Sequence, residues 1–244
     1  MVRVTSRRFG IVAVAIVGVM LLSGCDMNSF MPGTPRPSWC DPTDTAVNDG
    51  HTTAFFNFYT TPKGPLSQSD CLAVADYLQQ AQDFAVRYPT VAAVLAAGWK
   101  QATVYTPGQG AHYYDPSRQF GPFDPKRPNY LMYNGTSPTN NLVGMMFLVC
   151  VQVPQVGACV GSSSNPPPAG FPGDNDHWHN HGPLCVRGSD GVVIGEIPPM
   201  TDTQCTALGG AQTDLSSQWM VHVWLPVYAG WQATDIFNVS HPSL

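Results

Sequence analysis

The sequence predicts an α+β fold: an antiparallel β-sheet or sandwich core, loop-rich and disulfide-stapled, with two N-terminal helices packed against one side. Three observations carry that prediction. Apolar residues keep a helical period only between about residues 69 and 98, short β-rich runs follow one another over about 99–244, and an even set of cysteines remains once the leader is set aside. Proline and glycine, at 23 residues each, and a charged content of only 11% add turns at the expense of long solvated helices.

Arg3, Arg7 and Arg8 precede an apolar run from Ile11 to Leu22, the pattern of a secretory signal and too short to span a bilayer. The Leu22-Ser23-Gly24-Cys25 that follows resembles a bacterial lipobox. The resemblance implies a signal peptide over 1–24, lipid such as palmitate on Cys25, and a membrane anchor at the extracytoplasmic face. Residues 25–50 mix proline, glycine and polar residues without periodicity and read as a lipidated tether, leaving 51–244 as a single domain. Loss of the leader removes three of the 11 basic residues and none of the 16 acidic ones, so the formal charge becomes −8. That balance argues against a nucleic-acid partner.

In "SQSDCLAVADYLQQAQDFAVRYP", Val74, Tyr77, Ala81, Phe84 and Tyr88 share one helical face. Ser69 or Asp70 suits the cap and Pro89 the end; "TVAAVLAAGW" then gives a short helix between Thr90 and Gly98. The β-rich runs are "ATVYT", "YLMYN", "LVGMMFLVCVQV", "GVVIGEI" and "WMVHVWL". With Cys25 lipidated, Cys40, Cys71, Cys150, Cys159, Cys185 and Cys205 remain, and outside the cytoplasm an even count reads as disulfides. The expected pairing is sequential.

"DNDHWHNHGPLCV" places His177, His179 and His181 at alternate positions, so in an extended strand their imidazoles share a face. His222, between Met220 and Trp224 in "WMVHVWL", and His112, from a loop in "GAHYY", would complete a ligand set, with Met146 beneath it on a face shared with Leu142 and Leu148. Neutral imidazoles and a thioether suit copper first and zinc next. Cys185 reads as a disulfide partner and not a ligand, and His51 and His241 stand apart. The competing readings are a hydrogen-bonded polar cluster and a pH-responsive patch.

"YPTVAAVLAAGW", "GAHYYDPSRQFGPFDPKRPNYLMYNG", "NNLVGMMFLV" and "MVHVWLPVYAGWQATDIFNVSHPSL" together resemble a broad, largely uncharacterised family of secreted bacterial proteins over residues 88–244. The resemblance implies that His112, in Gly-x-His-Tyr, and His222, in His-Val-Trp, occupy motif positions of one site. Where the family's Leu-Val-Gly strand often continues with a glutamate, this chain has Met146.

Three functions follow as expectations. The first is a lipid-anchored protein that binds copper or zinc through the histidines; the second is a metal-dependent extracytoplasmic enzyme, an oxidoreductase or hydrolase. The third is a non-metal envelope lipoprotein that recognises a cell-wall component or an envelope protein through aromatic residues such as Trp178, Trp219, Trp224 and Trp231. Glu196 is the only glutamate, which excludes a paired-glutamate glycosidase, and no Gly-x-Ser-x-Gly or His-Glu-x-x-His occurs.

Overall fold

A computed structural model describes residues 40, 56–59, 64–150, 167–197, 199–225, 236–237, 239–240 and 244. Cys25, His51, Cys159, Trp231 and His241 lie outside the described residues, as do the leader and nearly all of the tether. The described elements are β1 (Phe56–Tyr59), α1 (Gln68–Ala85), α2 (Val91–Ala96), β2 (Lys100–Gln101), β3 (Ala111–Tyr114), β4 (Tyr130–Tyr133) and β5 (Leu142–Cys150). They continue with β6 (His179–His181), β7 (Pro183–Arg187), β8 (Val193–Glu196), α3 (Asp202–Ala207), β9 (Gly210–Asp214) and β10 (Gln218–Trp224). The fold is α+β and sheet-dominated, as the sequence predicts.

Helix α1 starts where Ser67, and not Ser69 or Asp70, accepts the Asp70 backbone N–H. Its buried stripe runs through Cys71, Val74, Ala75, Leu78, Ala81 and Ala85, while Tyr77, Phe84 and Tyr88 flank it half-buried. The small residues therefore face the sheet and the aromatic ones seal the edge. Thr90 caps α2 as expected, and Gly98, at φ +88°, lets the Trp99 N–H return to the Val94 carbonyl.

Among the described residues, seven antiparallel strands form the main sheet in the order β1-β6-β10-β5-β4-β3-β2, and β8-β7-β9 form a second, smaller one. One face of the main sheet carries Tyr113, Leu131, Met145, Phe147, Val221 and Val223 into the core beneath α1 and α2. The other face carries Tyr130, Met132, Met146, Leu148, Met220 and Trp224. Strand alternation separates the two sets, except at the start of β5, where a register shift beside Gly144 turns Leu142 to the helix side. Met146 thus shares its face with Leu148 but not with Leu142, because parity is broken between them.

The small sheet lies over this second face. Pro183 of β7 follows His181 of β6 almost directly, and β8 is tied back by Val193 N–H to the Ala102 carbonyl (2.8 Å) and Val104 N–H to the Val193 carbonyl (2.9 Å). Disulfides Cys40–Cys71 and Cys185–Cys205 hold the N-terminal extension to α1 and α3 to β7, in the expected pairing. Cys150 is also disulfide-bonded.

Candidate functional site

His112 stands on β3, His222 on β10, and His179 and His181 on β6, all on the face turned toward the small sheet. His112 belongs to a strand and not to a loop: "AHYY" pairs residue for residue with "YLMY" of β4. Between His112 and Trp224 the cross-sheet row runs through Met132 and Gly144. A Cβ on Gly144 would overlap Met132 Cε and stand 3.0 Å from Trp224 Cε3. The missing side chain lets the row pack low in mid-sheet, and two histidines three strands apart meet above it.

Their contact is through the outer nitrogens. His112 Nε2 and His222 Nε2 are 3.4 Å apart. His222 Nδ1–H donates to the Val239 carbonyl at 2.7 Å, so its Nε2 carries a lone pair. His112 Nδ1 faces Thr103 Oγ1 at 3.1 Å, and that oxygen also accepts the His112 backbone N–H at 2.9 Å. The ring of His179 meets that of His222 at 5.0 Å between centroids and that of His181 at 5.4 Å, both edge to face. The His179 Nδ1–H is turned to the His177 carbonyl at 3.1 Å, which leaves the lone pair on Nε2.

The group is buried, with His179 at 0% and His222 at 1% exposure. Burial, then repulsion among the rings, holds His112 and His179 well below the ordinary imidazole value, and burial lowers His222 to about 4. All three are neutral at pH 7, the form that ligates metals. His177 is buried too, just before β6, and reaches His179 through its carbonyl.

Met146 pairs with His222 across β5 and β10, and Met220 pairs with His179 across β10 and β6. Among the described residues, no three His, Cys, Asp or Glu side chains are already gathered as a metal-ligand set. The arrangement is one aligned pair of nitrogens with two adjoining rings, which must turn before they point at the same ion. Of the tryptophans named from the sequence, the three described are buried: Trp178 and Trp219 pack into the helix-side core, and Trp224 is fully buried on the other face.

No family model, curated protein or solved structure matches the chain.

Thr103 and the Val239 carbonyl escaped the sequence reading because each reaches its histidine across the fold, at separations of nine and 17 residues. The unread signal at His112 was the β-prone Tyr113-Tyr114 beside it.

Proposed function

We propose that the chain is an extracytoplasmic protein, lipid-anchored through Cys25, that binds a transition ion, copper or zinc, with His112, His222, His179 and His181. The observation that carries this reading is the 3.4 Å between His112 Nε2 and His222 Nε2. Two imidazoles bound at about 2.0 Å to one tetrahedral ion stand about 3.3 Å apart. The pair therefore has the spacing of ligands without rearrangement. The carbonyl of Val239 and the hydroxyl of Thr103 occupy the positions of the outer hydrogen bonds that orient metal-bound histidines.

In the metal-free chain, His112 Nε2–H donates to His222 Nε2, with the Thr103 hydroxyl directed at His112 Nδ1. With an ion held at Nε2, His112 would carry its proton on Nδ1 and donate it to the Thr103 hydroxyl. Both rings are neutral beforehand, so this exchange releases no net proton near pH 7. His179 and His181 turn to supply further nitrogens, and Met146 offers a thioether that favours copper.

The metal-dependent enzyme is favoured by one specific observation. A cavity of about 650 Å³ reaches His112, His181 and His222, enough for a substrate beside the ion.

Titration of copper and zinc into the untagged full-length protein tests the metal reading. One ion is expected to bind with a Kd below about 1 µM, and His112→Ala with His222→Ala to weaken it by at least about a hundredfold. Unchanged binding in the double variant contradicts the assignment.

A further inference from the structure

His112, His181 and His222 form the inner end of the 650 Å³ cavity, and most of its wall belongs to neither the metal site nor the helix-side core. Tyr130, Met146 and Met220 line one side from the main sheet; Leu184, Val186 and Val193 line the other from the small sheet. The inner end is buried and the lining at Asp190, Gly191 and Pro199 is exposed, so the mouth lies there.

We infer that this cavity is a binding site for a neutral or cationic aromatic molecule of phenol type, held flat between the two sheets with its hydroxyl toward the imidazoles. The volume falls within the range of small-molecule pockets. Thioethers and aliphatic side chains on both walls make favourable contacts with an aromatic ring. Burial raises the Tyr130 phenol above its ordinary range, so that wall stays uncharged.

Charge selects further. Among the described residues, the lining contains Asp190 and Glu196 and neither lysine nor arginine. Arg187 pairs with Asp190 at 2.6 Å, and the charged groups of the described lining, Asp190 and Glu196, are both carboxylates. An anionic ligand would lose its hydration and meet no lysine or arginine among the described lining residues, whereas a neutral phenol loses little and an ammonium is favoured over an anion beside carboxylates. A phenol hydroxyl, protonated at neutral pH with a pKa near 10, donates or accepts at the imidazole edge. Binding of this kind goes beyond metal ligation and does not require the ion.

Isothermal titration of the untagged, chelator-treated full-length chain in lipid nanodiscs tests the inference, with empty nanodiscs as the reference for partitioning. Three probes of one shape and different charge are 4-ethylphenol, tyramine and 4-hydroxyphenylacetate. The first two are expected to bind saturably at one site, and the carboxylate at least about tenfold more weakly. Val186→Trp and Leu215→Trp fill the cavity from partly exposed positions of its wall and should each weaken 4-ethylphenol by at least about tenfold. No saturable binding of 4-ethylphenol below about 10 mM, equal binding of the carboxylate, or parental affinity in both folded tryptophan variants overturns the inference. The charge series on the parent protein decides even where a variant fails to fold. Because no metal is present, the result stands apart from that of the metal titration.

Discussion

Thr103 holds His112 twice, accepting its backbone N–H and facing its Nδ1, so one hydroxyl fixes both the strand position and the ring. Thr103→Val preserves shape and removes both contacts. Loss of such an outer hydrogen bond is expected to weaken metal affinity by about 10- to 100-fold, measured by competition with a chelator of known strength. Retained affinity would show that the ring is held by packing alone. At this scale the sequence was informative about type and parity: Met220, His222 and Trp224 do share a face, and His179 and His181 do stand on one strand. It was silent about the partners of each ring, because hydrogen bonds from Val239 and Thr103 depend on how distant segments come together.

Strand β5 sets the geometry of the site from near its start. Gly144 is the point where Met132 and Trp224 close over the backbone, and no side chain fits there. Gly144→Ala should destabilise the fold by about 1–3 kcal/mol through overpacking. The same change should lift Met132 and Trp224 toward the histidines, so metal affinity falls with the urea midpoint; a stable variant with unaltered affinity would detach Gly144 from the site. The long runs "LVGMMFLVCVQV" and "WMVHVWL" were legible as strands because their apolar length leaves no alternative. The shorter elements were less so. β9 is "GAQTD", with no apolar pattern to read, and α3 is announced only by the reciprocal cap between Thr201 and Gln204. Tertiary pairing, not local preference, makes these elements.

Across the whole molecule, the buried histidines link stability to pH. The unfolded chain takes up protons as pH falls through 6.5, whereas the fold keeps His222 neutral down to about 4 and burial holds His112 and His179 well below 6.5. The unfolded state therefore binds more protons between about 6.5 and 4, and stability falls as pH falls. Asp176 acts in the opposite sense: burial raises its carboxyl to about 6, so the folded chain holds a proton there that the unfolded chain releases above about 4. Three imidazoles outweigh one carboxyl. The metal-free protein is expected to show a lower urea midpoint at pH 5 than at pH 7, and an equal or higher midpoint would contradict the neutral, buried cluster. Fold class was legible from composition and periodicity. Strand order was not, since the pairing of β6 with both β1 and β10 joins segments whose separation no local pattern encodes.

The central claim is that His112, His222 and the β6 histidines hold one ion. X-ray absorption of the untagged full-length protein, loaded with one equivalent of zinc and passed through gel filtration, measures this directly. The account predicts three or four imidazole nitrogens at about 2.0 Å, with their outer-ring scattering. An oxygen-only shell, or an ion lost on the column, would contradict it.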